Sequence, residues 1–518
     1  MDDIISKLEQ LQLCGVKNTY NEELTARDIR EDPDYYDAIL ESLFSRNEVC
    51  SNHDSNPKSP LKVIVSGGGP SGLIFAITLA EYFLSCSDGN VNIVLYEKRI
   101  IEENGSFRWK SEDEGNRRRF QVVTLQDSVV NLLSDDIRRA IFLNVNERVW
   151  PSSQNIPILE VEDRLLELLQ LYRNVITIKA KEFNEDCLVE ERPFDALVGA
   201  DGRRSAVQNI GGFVPSNYNI DEEFALGVSV RNSVTYFPQS MNVMLTLSQT
   251  RYLFNSQGGR TGYLNIRLTK EEADEFNDCN FDTIQKDNHP LWNTIKEGLK
   301  LFNLSKDSII QVDPIRINLS ASPTYMSQLN DFRNGRSDSS PSLTFLIGDA
   351  AVPVHFWPGR GMNSGIKASI ALARRLYWAY HGENRINSSG TIRMQDCSKF
   401  EGFMAQLRIE EIQSRSSSIC SSTPIQELLR QAHSNYDLWK LHRQEWESRL
   451  HSLVDRYENP NYRDWPHEIL PNRDWIRNVI VSLSPFTVSL LSLSKPWPIR
   501  EMSIDEVNPN ELCSSPFG

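Results

Sequence analysis

At 518 residues the chain exceeds what one compact core accommodates, so two or three domains are expected. With 40% hydrophobic and 24% charged residues the composition is globular, and a formal net charge of -15 argues against a nucleic-acid backbone as partner. The 8 cysteines are scattered without a CxxC pair, which fits reduced thiols and suggests neither a disulfide frame nor a zinc site; no metal is expected.

The opening MDDIISKLEQ has no apolar run of a secretory signal and none of the Arg-rich character of a transit peptide, so a cytoplasmic address is expected. Residues 1–46 carry helix-like spacing (Ile4, Ile5, Leu8, Leu11, then Tyr36, Ile39, Leu40, Leu43), and Asn47 to Pro60 is polar with two prolines. That stretch predicts a helical appendage and a linker. From Leu61 the run LKVIVSGGGPSGLIFAITLAEYFL reads as a short buried strand, a glycine-rich turn and an apolar helix, with VNIVLYEKR as a second strand. Together they predict a βαβ unit.

Gly67, Gly69 and Gly72 fall between that strand and helix, with Glu97 at the tip of the next strand. The first glycine allows the tight turn, the second lets backbone approach a pyrophosphate, and the third lets helix and strand pack closely. The phosphates then meet the helix N-terminus, and Glu97 is the natural ligand of an adenosine ribose. Further on, Asp195 to Gln208 (DALVGADGRRSAVQ) predicts a strand ending in Asp201-Gly202. Strand alternation follows in MNVMLTLSQ and RYLFNSQGGRTGYLNIRLT, with Gln257-Gly258-Gly259 as a hairpin turn, which predicts an inserted antiparallel sheet. Tyr236, Phe237, Tyr252, Phe254, Phe356 and Trp357 are candidates to line an apolar substrate cavity.

Phe345 to Gly365 (FLIGDAAVPVHFWPGRGMNSG) predicts a strand ending in Gly-Asp, a loop, and a helix starting near Asn363. Its glycines, Gly359 and Gly361, would let backbone pass a flat ring, and the new helix would aim unsatisfied N–H groups at it. In that loop His355 is a candidate acid or base and Arg360 a candidate holder of an anionic substrate or nicotinamide cofactor. Helix-like segments continue to about Tyr457, and Ser414 to Ser422 predicts a loop. Val479 to Leu493 is apolar but broken by Ser482, Ser484, Pro485, Thr487, Ser489 and Ser492. It falls short of the roughly 20 apolar residues a membrane span needs, so a buried helix or substrate lid is expected and no integral span.

The order GGGPSG, GADGRRS and GDAAVPVHFWPGRGMNSG resembles the fingerprints of the class A flavoprotein monooxygenases, the aromatic-hydroxylase type, over about Leu61 to Tyr380. The resemblance implies an α/β fold: a Rossmann-like FAD-binding domain with an inserted antiparallel β-sheet substrate domain and a helical C-terminal region. The division it suggests is 1–60 appendage and linker, 61–212 first FAD-binding part, 213–340 mainly substrate sheet, 341–380 the Gly-Asp motif and helix, and 381–518 the helical C-terminal region. It also implies FAD as cofactor, NAD(P)H and O₂ as co-substrates, and hydroxylation or epoxidation of a small organic molecule, as in secondary-metabolite biosynthesis. Asp349 would then bind the ribitol or pyrophosphate, Gly361, Met362 and Asn363 would offer backbone to the flavin ring, Asp201 and Gly202 would serve FAD and NAD(P)H, and Arg119 would touch FAD.

The pattern departs from the family's at Val352, Phe356 and Arg360, where His, Pro and Gln are usual, and at Glu162, where a helix usually opens with Arg or Gln. Related readings are a flavin halogenase, whose WxWxIP signature is missing, and a flavin reductase or dehydrogenase of the same fold. A reading of another class is a non-catalytic FAD-binding interaction protein.

Overall fold

The computed structural model describes residues 59–85, 90–142, 148–150, 153–213, 222–231, 246, 251–257, 261–277, 281–286, 289–318, 322–329, 341–354, 359–381, 392–416, 425–441, 443–458, 477–478, 481 and 485–493. The N-terminal appendage, the run MNVMLTLSQ apart from Thr246, the hairpin-turn residues 258–260, Tyr236, Phe237 and the loop segment 355–358 lie outside the described residues.

The strands are β1 (Leu61–Ser66), β2 (Val91–Tyr96), β3 (Ile100–Glu103), β4 (Ser106–Trp109), β5 (Val122–Leu125), β6 (Arg148–Trp150), β7 (Ser153–Pro157), β8 (Ile176–Lys179), β9 (Ala196–Gly199), β10 (Glu222–Arg231), β11 (Tyr252–Gln257), β12 (Thr261–Leu268), β13 (Ile309–Asn318), β14 (Met326–Leu329) and β15 (Ser342–Leu346). The helices that matter below are α1 (Pro70–Leu84), α2 (Ile158–Leu169), α3 (Pro290–Leu301), α4 (Arg360–His381), α5 (Ser398–Arg408), α6 (Ile425–Leu441) and α7 (Pro485–Leu493).

A 6-stranded sheet runs β14-β15-β9-β1-β2-β8, with only the β14 edge antiparallel. Its central strands are covered on both faces, which is why LKVIVS and VNIVLY read as nearly continuous apolar runs. Counting the parallel strands by sequence, the order reverses at β1, so the crevice beyond the carboxyl ends of β1 and β9 is the switch point where doubly wound sheets bind ligands.

Helix α1 starts with Pro70 in its first turn, suited to a position where an N–H would have no partner, and is buried on most sides. It lies beside α4, and the two run parallel. Ser369 Oγ, midway along α4, donates to Ser71 O at the start of α1 at 2.8 Å, and the Phe83 ring meets Tyr377 and Tyr380 at 5.5 and 5.2 Å near the ends of both helices. Helix α4 begins at Arg360, three residues before the expected Asn363.

The inserted sheet is 4-stranded, in the order β11-β12-β10-β13. Gln257 pairs with Thr261, so the hairpin expected there forms with Gln257 as the last strand residue rather than part of the turn. One face carries Leu226, Val228, Phe254, Leu264 and Ile266 into a core that also contains Ile295 and Leu299 of α3, Ala432 of α6 and Val488, Leu490 and Leu491 of α7. Of the apolar C-terminal run, Pro485–Leu493 is therefore a helix packed against the inserted sheet. Among the described residues no helix is long and apolar enough to cross a membrane. By contrast α5 sends Phe400, Phe403, Met404 and Leu407 into the core of the large sheet, so the C-terminal region serves both cores. The serine tract differs from expectation: Ile409–Ser416 is a π-helix continuing α5, so Ser414 to Ser416 are helical.

The close approach of α1 to the first turn depends on Gly72, where any Cβ would overlap the carbonyl oxygen of Gly67. A Gly72→Ala chain should lose ~2–4 kcal/mol of unfolding free energy, read as a lower urea midpoint with an unchanged slope.

Candidate functional site

The turn from β1 into α1 is built against its neighbours. Gly67 sits at φ +99°, and a side chain there would strike the backbone at Ala200 and Asp201. Gly68 N–H donates to Glu97 Oε2 at 2.8 Å. Gly69 caps α1 with no side-chain cap, and α1 has no acidic residue in its first turn. The orphan N–H groups and positive end of the helix dipole thus face outward without an internal anion on α1. Seen from where a Gly69 Cβ would stand, the guanidinium Nη2 atoms of Arg119 and Arg99 are at 3.7 and 3.8 Å. A bare backbone edge flanked by two guanidinium groups is a cradle of the right chemistry for a diphosphate.

Glu97 is 6% exposed and more occupied than its sequence position suggests. Besides Gly68 N–H on Oε2, it accepts from Arg99 N and Nε on Oε1 (2.9 and 3.0 Å) and from Arg99 Nη2 on Oε2 (2.8 Å). These donors fill the roughly four lone-pair sites of a carboxylate. Burial works to raise its pKa, but the hydrogen bonds and charge of Arg99 outweigh burial and hold the carboxyl below its ordinary range. Glu97 therefore orients Arg99 and the turn, and a ribose hydroxyl reaches it only in exchange for one of those donors. Arg99 also lies over the Trp109 ring at 4.9 Å, which fixes its plane.

At the end of β9, Asp201 Oδ2 accepts from Ser66 Oγ (3.0 Å) and Ala206 N (2.9 Å), tying the strand ends of the switch point together. Asp201 Oδ1 is buried without a hydrogen-bond partner. Gly202 follows at φ +79° with open space around it.

Asp349, in a short turn of 3-10 helix after β15, is open to solvent at the mouth between the strand ends and α4. Protein crowds its other sides, and that desolvation pushes its carboxyl above the ordinary range, opposed by the charges of Arg119 and Arg203. The Gly361 backbone is close by: its Cβ position lies 3.5 Å from Asp349 Oδ1.

The start of α4 is fastened to β5. Gly359, at φ +85°, lies so close to the Thr124 backbone that a side chain would collide with it. Asn363 is 1% exposed; its Nδ2 donates to Thr124 O and Gly359 O (both 2.8 Å), and its Oδ1 accepts from Gln126 N (3.0 Å). The Asn363 N–H closes the first helical hydrogen bond to Gly359 O, at 2.8 Å. Asn363 is thus a staple between elements, and the expectation that its backbone N–H serves a ring is corrected. Gly361 and Met362 occupy the first turn, where N–H groups have no acceptor within the helix.

Arg360 is also corrected. The residue is 5% exposed, and its guanidinium forks onto Glu411 of the π-helix, with Nη2 to Oε1 at 2.6 Å and Nε to Oε2 at 3.1 Å. Such a pair anchors α4 to the C-terminal region and commits the guanidinium to a buried carboxylate. His355, Phe356 and Trp357 lie outside the described residues.

From Thr124 a polar seam crosses to the inserted sheet. Thr124 Oγ1 donates to Asn155 Oδ1 (2.7 Å), Asn155 Nδ2 to Ser256 O (2.8 Å), and Asn255 Nδ2 reaches Thr124 Oγ1 and Val122 O at 3.2 and 3.3 Å. By strand register Asn255 shares its sheet face with Ser229, Tyr263, Asn265 and Gln257. Tyr252 and Phe254 point to the opposite face, where Phe254 packs on Phe302 at 5.2 Å. Tyr252 and Phe254, candidates to line an apolar substrate cavity, thus sit in the core that the inserted sheet shares with α3, α6 and α7.

Arg99, Thr124 and Asn155 were not singled out from the sequence. Arg99 carries a usable signal, since it follows the strand-tip acid by two residues, whereas the links of the seam to the inserted sheet join positions more than 100 residues apart and carry none.

The fold and this mouth have the strand order and turn chemistry of the dinucleotide-binding doubly wound proteins. No family model matches the chain, and no curated protein matches it. Among solved structures the chain is similar to p-nitrophenol 4-monooxygenase PnpA from Pseudomonas putida DLL-E4 (14% identity, covering 70% of this chain and 88% of that one, TM-score 0.44). It is also similar to the flavin-dependent monooxygenase PieE in complex with FAD and substrate (16%, 70% and 65%, TM-score 0.43) and to CtdE in complex with FAD (12%, 71% and 96%, TM-score 0.42).

Two substitutions separate site from scaffold. Arg360→Ala should cost about 3–5 kcal/mol of stability in a denaturation curve, because it leaves the buried Glu411 without its guanidinium. For Asp349→Asn the sign follows from the raised pKa: the charged form is penalised in the folded chain, so wild type loses stability as pH rises through that pKa. Without cofactor, the melting temperature of Asp349→Asn relative to wild type should therefore climb as pH rises from below about 4 and then level off.

Proposed function

We propose that the chain is an FAD-dependent monooxygenase that uses NAD(P)H and O₂ to oxygenate a small organic substrate. The observation that carries this reading is the parallel pairing of α1 and α4, which brings two helix N-termini to one mouth, with Arg99, Arg119 and Asp349 around it.

The residues fit the group. Gly69 and the two guanidinium groups suit the diphosphate, Asp349 a ribitol hydroxyl, and the first turn of α4 the pyrimidine edge of the ring. When bound, FAD supplies hydride acceptance from the nicotinamide and activation of O₂. The chain supplies the setting. The N–H groups of Gly361 and Met362 favour negative charge at the ring edge by about 1 kcal/mol, up to roughly 2 when partly buried. Asn363 and Thr124 hold that helix tip against β5, so the donors need no reorganisation when charge develops.

The substrate lies, in this proposal, on the sheet face that carries Asn255, Asn265, Ser229 and Tyr263. Asn265 Oδ1 and Ser229 Oγ are buried there without partners, which favours a substrate bearing N–H or O–H groups over a bare hydrocarbon. Tailoring of a secondary metabolite in the cytoplasm is compatible with such a substrate.

The test begins with purified chain. It should carry or take up FAD, oxidise NAD(P)H faster with a productive substrate, and insert one atom from ¹⁸O₂ into the product. Protein that folds but takes up no FAD defeats the proposal, and FAD-loaded protein that oxidises NAD(P)H and reduces substrate without incorporating label indicates the reductase.

A further inference from the structure

Glu162 is the least expected member of the cradle. It stands in the second turn of α2, 1% exposed, and its Oε1 accepts both from Arg99 Nη1 at 2.9 Å and from Arg119 Nη2. The other hydrogen bonds of Arg99 tie it to Glu97, through Nε and Nη2. The charges at the cradle therefore cancel pairwise: Arg99 against Glu97, and Arg119 against Glu162. The same Arg119 Nη2 that Glu162 holds is the atom beside the Gly69 edge. Any diphosphate settling on that edge shares this donor with a buried carboxylate or takes it over.

We infer that Glu162 is an internal counter-anion that competes with the cofactor's diphosphate for both guanidinium groups of the cradle, Arg119 first and Arg99 through its second hydrogen bond, so that FAD is held weakly enough to exchange. This rests on the FAD reading above. Three features set the direction of the effect. Glu162 is buried and cannot swing into solvent to make room, whereas the Arg119 side chain is 43% exposed and can turn toward an entering anion. The guanidinium stays charged, so its attraction is fixed and only the number of anions sharing it changes. Glu97 cannot take over as partner for Arg119, because its acceptor sites are filled by Gly68 and Arg99. Around the same group, Asp349 feels the Arg119 charge from the α4 side, and Asp163 on α2 is held by Arg118 at 2.8 Å. The cradle as a whole is thus close to electrically balanced before a diphosphate arrives.

Glu162→Gln separates charge from position, because glutamine keeps an acceptor oxygen for Arg99 and Arg119 but carries no charge. The expected result is an FAD dissociation constant at least about tenfold lower than wild type, roughly 1.4 kcal/mol, in a flavin-fluorescence titration at low salt. FAD should also raise the melting temperature of Glu162→Gln by more than it raises that of wild type, since tighter binding to the folded state adds stability by mass action. Should Glu162→Gln fold poorly, Arg119→Gln and the double variant Arg119→Gln/Glu162→Gln carry the test. The single change should weaken FAD about tenfold, while the double change also releases Arg99 Nη1, the other donor that Glu162 holds, removes the buried negative charge, and should return affinity to within about threefold of wild type. An unchanged or weaker affinity in Glu162→Gln, or a double variant as weak as Arg119→Gln alone, overturns the inference. Wild type that binds no FAD defeats the functional proposal itself, whereas wild type that binds FAD alongside a Glu162→Gln chain that binds no tighter defeats only the role of Glu162.

Discussion

The mouth exists because two helices approach more closely than ordinary side chains permit. Ser71 of α1 fits against the backbone of Gly348 and Gly365, where any Cβ would meet its hydroxyl, and Ser369 donates back to Ser71 O. With the start of α1 locked against Gly365 and Ser369 within α4, the start of α4 reaches past that of α1, and both positive dipole ends emerge on the same side, at the carboxyl end of the sheet. Asp201 then closes the base of the crevice by binding Ser66 and the Ala206 amide. The glycines of the first motif and of the last are therefore two halves of one steric condition.

That geometry bears on the electrostatics. Around the mouth, Arg99, Arg119 and Arg360 each meet a carboxylate that is 6% exposed or less: Glu97, Glu162 and Glu411. Paired charges of this kind add little net stability compared with apolar packing, but each penalises any arrangement that separates the partners. They act as locators, fixing where α1, α2, α4 and the π-helix sit. The attraction for an anion then falls mainly to backbone N–H groups, which are fixed by the fold and cannot be neutralised by a side chain unless one is placed on them.

The legible part of this chain was the part governed by local rules. LKVIVS, the glycine turn, VNIVLY and SLTFL announce a buried parallel sheet because both faces of each strand are covered, and Glu97 announces itself by standing at a strand tip. What the spacing could not convey was how a functional-looking residue satisfies its hydrogen bonds. Placed beside the glycines of the loop, Arg360 reads equally as an anion holder or as a residue lending only its backbone, and what decides its side chain is Glu411, 51 residues away. Asn363 looked like a backbone donor, but its side chain stitches β5 to α4 across more than 200 residues. Ser414 to Ser416 looked like loop by composition, and their helical state comes from continuing a helix whose earlier turns are anchored in the core.

Strand alternation tells the period of the inserted sheet but not which face meets which neighbour. In β11 the residues alternate as Tyr252, Phe254 on one side and Leu253, Asn255, Gln257 on the other, and both sets are buried. Either assignment is compatible with the sequence alone. The choice is made far away: α3, α6 and α7 provide an apolar surface that claims Tyr252 and Phe254, and what remains to face β5 and β7 is the amide-rich face. The buried Asn255 amide is tolerable there because Thr124 Oγ1 and Val122 O accept from it. The polar character of the surface beside the mouth thus follows from where the C-terminal helices pack, and a change that loosened α7 would be felt at the seam as a change in which face of β11 is held down.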